Sequence, residues 1–331
     1  MKIFDEMVKE NIDTMIVLNL NNINYLTGFK PSSSSILILK DEPVLFTNSM
    51  DFEDALMNSK IQVEELKSLD EIKKSLNGTV GIENSVTIGT FERLKKDSSF
   101  ETKITDIVER LRRVKSKDEL KNIEKALEIA ENAFKNTEFH GNKTENEIAA
   151  EIEYNMRLEG SKKASFDTIV ASGMRSSLPH ADVSNNSIER PVVIDWGAIY
   201  NNYCSDTTRT LIETEKHEEI FDIVFEAQKS AVKAIKPGIK ASYVDKVARN
   251  VIEEYGYGES FIHSTGHGVG LDIHESPSLS KRDETKLEKG MVITIEPGIY
   301  LKNEFGVRIE DMVHITNKGH VLNKIKKKIN L

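Results

Sequence analysis

Apolar and polar positions alternate with two different periods along the first third of the chain. Five short apolar runs are typical of strands, and four amphipathic stretches between them are typical of helices. The predicted strands cover residues 14–20, 36–40, 43–47, 61–66 and 80–83, and the predicted helices cover residues 2–11, 50–58, 68–76 and 88–96. This alternation predicts an α/β domain, residues 1–110, with a partly parallel sheet. It contains no cluster of catalytic residue types, so we expect it to act as a scaffold, a lid or a dimer contact.

A helix-start signal marks the beginning of a second domain, residues 116–331. Ser116 and Glu119 have the spacing of a capping box, and apolar residues follow at helical spacing from Leu120 to Phe134. The pattern therefore predicts a long amphipathic helix directly after the domain boundary.

The second domain contains a weak internal repeat. Residues 189–200 read ERPVVIDWGAIY, and residues 288–300 read EKGMVITIEPGIY. Both stretches have a charged pair, an apolar strand, an acid, a glycine and then Ile-Tyr. Chance similarity between two strand-turn patterns is the alternative, but the order of features favours a duplicated, pseudo-symmetric unit. The predicted fold class is α/β followed by α+β.

The repeat puts two acids at equivalent positions. Asp195 and Glu296 each follow an apolar run, and each is followed by another acid, Asp206 or Glu310. If two pseudo-symmetric halves face each other, the four carboxylates converge. Two like charges 4 Å apart repel by about 4 kcal/mol at an effective dielectric near 20. Such a cluster needs cations or raised pKa values.

Histidines concentrate in one glycine-flanked stretch near these acids. His263, His267 and His274 fall within twelve residues, although the glycine spacing there does not fit a phosphate loop. With His267 as a nitrogen ligand, the set becomes four carboxylates and one imidazole. That set suits two divalent ions better than one tetrahedral zinc ion. A lone acid on a strand is commonly a solvated surface residue, but the matched contexts favour metal ligands.

Composition narrows the class of protein further. The 331 residues are 38% hydrophobic and 30% charged, with a net charge of −9, as in ordinary soluble globular proteins. No apolar run is long enough to span a membrane, and the acidic balance argues against a nucleic-acid partner. Cys204, the single cysteine, predicts a reducing cytoplasm and a buried packing residue. The lysine-rich stretch 324–328 is predicted to be a solvated terminal face.

Together these motifs resemble the dinuclear-metal "pita-bread" peptidases. The motifs are Asp195 with Asp206 eleven residues later, His267 in GHGVG, Glu296 in TIEPG and Glu310 in VRIED. The resemblance covers nearly the whole chain, and with the first domain it is closest to prokaryotic Xaa-Pro dipeptidases (prolidases) and aminopeptidase P. It implies a creatinase-type N-terminal domain, a pita-bread catalytic domain and a homodimer.

The resemblance also implies a cofactor, namely two divalent metal ions per subunit. Mn²⁺ or Co²⁺ is expected, with Zn²⁺ or Fe²⁺ as alternatives. Asp195 and Asp206 would bind one ion, and His267 and Glu296 the other. Asp206 and Glu310 would bridge the two.

The implied activity is hydrolysis of Xaa-Pro bonds, most of all in dipeptides, by a metal-bridged hydroxide. By the same resemblance, His180 lines the substrate pocket, His274 stabilises the oxyanion and Glu296 moves a proton to the leaving nitrogen. Two alternatives stay open: an aminopeptidase P that removes the residue before proline, and a non-catalytic binding protein on the same fold.

His263 and Arg308 would contact the substrate by the same resemblance. For each histidine the alternative is a structural role, and for Arg308 it is pairing with the acid cluster. Ser278 stands where several prolidases have an arginine, and Lys281 or Arg282 is the candidate substitute for holding the carboxylate of a dipeptide. His140, His217, His314 and His320 match no family position and are predicted to be surface or packing residues.

Overall fold

The structure is a computed structural model that describes residues 2–139 and 142–329. The chain divides into two compact units, Met1–Arg112 and Arg113–Leu331. His140 and the last two residues of the predicted second domain lie outside the described residues.

The first unit is built on one six-stranded sheet with strand order β4-β3-β2-β1-β5-β6. Its strands are β1 (Thr14–Val17), β2 (Ser35–Leu39), β3 (Val44–Thr47), β4 (Gln62–Glu65), β5 (Thr79–Glu83) and β6 (Glu101–Thr105). Its helices are α1 (Lys2–Lys9), α2 (Leu20–Thr27), α3 (Ser49–Asn58), α4 (Leu69–Lys74), α5 (Ile88–Lys95) and α6 (Ile107–Arg113). Only β2 pairs antiparallel to its neighbours. The predicted α/β class with a partly parallel sheet is therefore confirmed.

Helix α2 was not predicted, and the predicted strand 14–20 is wrong beyond Val17. The side chain of Asn19 accepts hydrogen bonds from the backbone N–H groups of the first helical turn and so begins the helix. Gly28 ends it in the left-handed region, at φ 77°. Strand β6 and helix α6 were also missed, because β6 is largely exposed and lacks a clear apolar alternation.

The described part of the second unit contains four long helices. They are α7 (Lys117–Lys135), α8 (Glu145–Leu158), α9 (Glu215–Ala234) and α10 (Ala241–Glu254). The predicted capping box of Ser116 and Glu119 is present at the start of α7. Helix α10 begins after Lys240 without a side-chain cap.

The strands of the second unit form two principal sheets. The first has the order β11-β8-β7 and the second the order β13-β12-β14-β17-β18, with hairpins β9–β10 and β15–β16 beside them. The strands of the first half are β7 (Ile169–Ser172), β8 (Val192–Trp196), β9 (Ile199–Tyr200), β10 (Tyr203–Cys204) and β11 (Thr207–Leu211). Those of the second half are β12 (Gly266–Gly268), β13 (Glu275–Leu279), β14 (Val292–Ile295), β15 (Gly298–Leu301), β16 (Phe305–Arg308), β17 (Asp311–Ile315) and β18 (Gly319–Val321).

The two halves repeat one arrangement, as the sequence predicted. In each half a buried strand, β8 or β14, leads into a short hairpin, and the chain returns antiparallel along that strand as β11 or β17. The predicted acids stand at matching places: one at or just after the outgoing strand and one just before the returning strand.

A helix packs behind each of the two acid-bearing strands. Trp196 on β8 is fully buried, stacks on Phe134 of α7 at 4.3 Å between ring centroids, and donates from its indole N–H to the carbonyl of Ala130. In the second half, Gln228 of α9 donates to the carbonyls of Ile295 and Ile309. These contacts hold the residue directly after Asp195 and the residues directly before Glu296 and Glu310.

Two expectations from composition have different outcomes. Cys204 is a buried packing residue, as predicted. The prediction of a solvated face at 324–328 is wrong, because Ile325 is buried and Lys327 forms an ion pair with buried Asp311. Among the helices of residues 2–139 and 142–329, none is long and apolar enough to cross a membrane.

Candidate metal centre

The nine predicted site residues line one cavity of about 700 Å³ in the second unit. They are His180, Asp195, Asp206, His263, His267, His274, Glu296, Arg308 and Glu310. The structure thus brings together residues spread over more than a third of the sequence. Their individual roles stay predictions.

The acids converge because the two acid-bearing strand pairs lie on either side of the cavity. The carboxylate oxygens of Asp206 and Glu310 and a ring nitrogen of His267 all lie within 4.8 Å of one another. His267 Nε2 is 3.5 Å from Asp206 Oδ2 and 3.4 Å from Glu296 Oε1. Asp195, on β8, completes the set of five on the side of the cavity where Arg308 lies.

Burial and mutual repulsion raise the pKa values of three of these acids. Burial is the main cause for Asp206 and Glu310, whose pKa values lie well above the ordinary range, and the neighbouring carboxylates add to it. Burial also raises the pKa of Glu296, to about 7, against the opposing effect of Arg308. A cluster of this kind ionises together only when cations enter it.

His267 has the form that metal binding requires. Burial lowers its pKa, so the ring is neutral near pH 7. Its Nδ1 lies 3.0 Å from the carbonyl oxygen of Gly268, which favours the tautomer with the proton on Nδ1. Nε2 is then the lone-pair atom, and it faces Asp206 and Glu296.

Two buried carboxylate oxygens support the same interpretation. Among the described residues, Asp195 Oδ1 and Glu310 Oε1 are buried and have no hydrogen-bond partner. The second oxygen of each is held, Asp195 Oδ2 by Arg308 at 2.7 Å and Glu310 Oε2 by the hydroxyl of Thr208 at 2.8 Å. Buried polar atoms are rarely left unsatisfied. Two such atoms facing an oxygen-rich cluster fit a site for divalent cations.

Arg308 is deeply buried and already has several partners. It donates to Asp195, to the hydroxyls of Thr208 and Tyr300, and to the carbonyl of Pro179. Four of its five N–H donors are thereby used. The contacts favour the interpretation in which Arg308 pairs with the acid cluster over direct contact with a substrate carboxylate.

Sequence reasoning missed Tyr300. Its hydroxyl lies 2.9 Å from His263 Nε2 and accepts a hydrogen bond from Arg308 at 2.8 Å, so it links the two predicted substrate residues. Burial lowers the pKa of His263 to about 4 and raises that of Tyr300 to about 12. The signal was in the repeat, because both copies end in Ile-Tyr and the second of these tyrosines is Tyr300.

His274 and His180 are the predicted site histidines with exposed side chains. The ring of His274 meets that of His267 edge to face, with centroids 4.4 Å apart. Burial and the neighbouring His267 lower its pKa. His274 is therefore beside the acid cluster and accessible from the cavity.

The carboxylate-binding substitute suggested by the sequence does not line this cavity. Lys281 and Arg282 line a neighbouring cavity of about 520 Å³ that also includes His263. Ser278 lines the main cavity, where its N–H donates to Asp283 at 2.8 Å. Of the described residues around the main cavity, Arg308 alone is a lysine or arginine.

The sequence is similar to those of known proteins. Residues 121–317 match the model of metallopeptidase family M24, and residues 2–114 match the creatinase/prolidase N-terminal domain. The chain is 47% identical over 330 residues to the Xaa-Pro dipeptidase of Pyrococcus horikoshii, covering 96% of this chain and 94% of that one.

Solved structures of related proteins have the same fold. A prolidase from Pyrococcus furiosus superposes with a TM-score of 0.90 at 45% identity, over 97% of this chain and 99% of that one. An X-Pro aminopeptidase from Thermotoga maritima superposes with a TM-score of 0.86 at 38% identity, over 96% and 97%. The chain therefore belongs to metallopeptidase family M24, and it is a peptidase that joins a pita-bread catalytic domain to a creatinase/prolidase N-terminal domain.

Proposed function

We propose that the protein is an Xaa-Pro dipeptidase that uses two divalent metal ions. The observation that carries the proposal is the cluster of four carboxylates and His267 in one cavity, on a chain 47% identical to an Xaa-Pro dipeptidase over 96% of its length. Four acids and a neutral imidazole offer five ligand side chains, one more than a single tetrahedral ion uses.

The ligand assignment that we propose is the one that the family resemblance implies. Asp195 and Asp206 would hold one ion, His267 and Glu296 would hold the other, and Asp206 and Glu310 would contribute to both. In support, His267 Nε2 lies close to both Asp206 and Glu296, and Glu310 keeps one buried oxygen without a hydrogen-bond partner among the described residues. Mn²⁺ or Co²⁺ suits this oxygen-rich set, with Zn²⁺ or Fe²⁺ as alternatives.

When bound, such ions lower the pKa of water and polarise a carbonyl, which is the chemistry that hydrolysis of an amide needs. The protein side chains then have separate tasks. His274, exposed to the cavity beside the acids, donates a hydrogen bond to the oxygen of the scissile carbonyl as negative charge develops there.

The nitrogen of an Xaa-Pro bond carries no hydrogen, so it must gain a proton to leave as an amine. We assign this proton transfer to Glu296, which lines the cavity and is held by Thr294. His180 and His263 contact the substrate from the cavity wall. Arg308 holds Asp195, and through Tyr300 it also orients His263.

Removal of an N-terminal residue before proline is the second candidate function. It is favoured by the likeness to the X-Pro aminopeptidase of Thermotoga maritima and by the absence of a second lysine or arginine among the described residues lining the cavity. A second lysine or arginine would hold the free carboxylate that the proline of a dipeptide carries. In a longer peptide the proline has no free carboxylate, so no such cation is needed. A non-catalytic binding role is disfavoured, since all five ligand positions keep ligating side chains.

The test is a substrate panel measured with the metal-free protein and after loading with Mn²⁺, Co²⁺, Zn²⁺ or Fe²⁺. Xaa-Pro dipeptides, Xaa-Pro-Yaa tripeptides and Met-initiated peptides are compared by kcat/KM. We expect Xaa-Pro dipeptides to be cleaved fastest. Preference for the tripeptides would establish the aminopeptidase function, and no cleavage with any metal would reject both.

We also propose that the protein acts as a homodimer in the cytoplasm. The family resemblance supports the dimer, and exposed apolar residues on α3, among them Met50 and Met57, offer a surface for it. The single buried thiol fits a reducing compartment. Light scattering coupled to size-exclusion chromatography measures the oligomeric state, and a monomeric mass at micromolar concentration rejects the dimer.

A further inference from the structure

The chain after β18 packs against the first half of the second unit. Ile325 is buried in a core cluster that includes Trp196 and Leu211. Glu131 of α7 accepts hydrogen bonds from the backbone N–H groups of Lys324, at 2.7 Å, and Ile325, at 3.1 Å. The lysine-rich stretch 324–328 is thus held in place by backbone hydrogen bonds and by the buried side chain of Ile325.

Arg209 on β11 holds the same segment from the strand side. Its side chain is fully buried and donates five hydrogen bonds. The acceptors are the carbonyls of Thr208, Glu310, Ile325 and Lys326 and the carboxylate of Asp311. All five N–H donors of the guanidinium are used. Asp311 also takes Lys327 as an ion-pair partner, so the buried charges are compensated.

Successive side chains of a strand point to opposite faces, which separates Arg209 from the metal ligands. On one face, Thr208 holds the carboxylate of Glu310 at 2.8 Å. On the other face, Arg209 donates hydrogen bonds to the backbone of these two residues. Its Nη1 lies 2.8 Å from the carbonyl oxygen of Thr208 and 2.6 Å from that of Glu310. One guanidinium therefore fixes the spacing of β11 and β17, the strands that directly follow Asp206 and Glu310.

Asn323 makes a second link between the same two strands. Its Oδ1 accepts a hydrogen bond from the N–H of Met312 at 2.7 Å, and its Nδ2 donates to the hydroxyl of Thr207 at 2.9 Å. Thr207 follows Asp206 directly, and Met312 lies two residues after Glu310. The segment thus contacts the chain immediately next to both acids assigned as shared ligands.

We infer that Arg209 and the segment 323–327 form a brace that positions Asp206 and Glu310 for metal binding. The inference rests on the proposed function, because it takes these two acids to be shared ligands. Metal sites tolerate displacements of only about 0.5 Å. Residues that orient ligands typically change metal affinity by about 10–100-fold when they are replaced. Arg209 is a positioning residue here and does not itself face the cavity.

The test uses the full chain and the substitution Arg209→Lys, which keeps the charge but cannot reach both strands and the segment together. The matched control is Arg112→Lys, at a buried arginine of the first unit that donates to Asn22. Mn²⁺ affinity is measured by isothermal titration of metal-free protein, and cooperative unfolding is checked by thermal denaturation. We expect a 10–100-fold weaker Mn²⁺ affinity for R209K and unchanged affinity for R112K.

Two further variants make every outcome decisive. Asp206→Asn tests the ligand assignment itself: if D206N binds Mn²⁺ like the wild type, the proposed site fails, whatever R209K does. If D206N loses affinity while R209K unfolds cooperatively and keeps wild-type affinity, the brace is rejected and the proposed function stands. If R209K does not fold, Asn323→Ala decides, since it removes the second link alone; wild-type Mn²⁺ affinity in N323A rejects the brace.

Discussion

Arg308 donates from Nη2 to Oδ2 of Asp195 across 2.7 Å, and both side chains are largely buried. Asp195 therefore has a permanent cationic partner on one oxygen, while its other oxygen has no hydrogen-bond partner among the described residues. The arginine keeps the acid cluster from being wholly anionic when metal ions are absent. Replacing Arg308 should therefore lower the stability of the protein most when metal ions are absent.

We expect Arg308→Met to destabilise the metal-free protein more than the metal-loaded protein. Removing one partner of a buried ion pair costs about 3–5 kcal/mol, and bound divalent ions offset part of that loss. Urea denaturation of wild type and variant, each with and without Mn²⁺, gives the four free energies of unfolding. An equal loss in both states contradicts this account.

The edge-to-face contact of His267 and His274 allows their roles to be separated. His267→Ala should lower the bound metal, because it removes the one nitrogen ligand. His274→Ala should keep the metal and lower kcat by about 10²–10³-fold, the usual effect of losing one donor to a developing oxyanion. Metal content by plasma mass spectrometry and kcat on an Xaa-Pro dipeptide are measured together. Full metal content in H267A contradicts the assignment.

Stability of the metal-free protein should fall as pH rises. The folded state raises the pKa of Glu296 from 4.5 to about 7 and raises those of Asp206 and Glu310 further above their ordinary values. A raised acid pKa means that the folded state binds more protons than the unfolded state, so the slope of unfolding free energy with pH is negative. For Glu296 alone the loss is about 3 kcal/mol between pH 4.5 and 7.

Divalent ions should reverse this trend, because they replace the protons of the carboxylates. The rise in melting temperature on adding Mn²⁺ is therefore expected to be larger at pH 8 than at pH 5. Differential scanning calorimetry at both pH values, with chelator as the reference, measures it. A larger rise at pH 5 contradicts the proposed coupling between protons and metal.

Gly266 should tolerate no side chain. A Cβ atom there would lie 2.1 Å from the carbonyl oxygen of Thr294, a backbone atom of the neighbouring strand β14. We expect Gly266→Ala to cost about 1–3 kcal/mol or more and to lower Mn²⁺ affinity by moving His267. Gly89→Ala on α5 is the matched control, because its Cβ meets nothing within 4 Å, and it should stabilise by about 0.4–1 kcal/mol. Equal melting temperatures for the two variants contradict the prediction.

Local rules predicted the local features of this chain. The predicted capping box of α7 depends on two residues three apart, and it is present. Helix α2 escaped prediction, because its start depends on the polar cap Asn19 inside an otherwise apolar run. The site residues were identified because their order within motifs resembles a known family.

The brace was beyond sequence reasoning for a different reason. Arg209 and Ile325 are 116 residues apart, and nothing in the local pattern of either indicates the other. The lysines around Ile325 suggested a solvated face, and the side chains of Lys324, Lys326 and Lys328 are exposed, but Lys327 pairs with buried Asp311. The packing of this segment depends on the buried side chain of Ile325 and on the backbone carbonyls that Arg209 contacts, and composition reveals neither.

The separation of Arg209 from Ile325 also bears on synthesis. At about 5–20 residues per second, a ribosome adds the 116 residues between them in roughly 6 to 23 s. Asp195 and Asp206 are made before that interval, whereas Glu310 and Asp311 are added near its end, shortly before the segment that steadies them. The pocket is therefore completed only after the second half of this unit has been made, and until then the carboxylates of the first half lack the partners that the second half supplies.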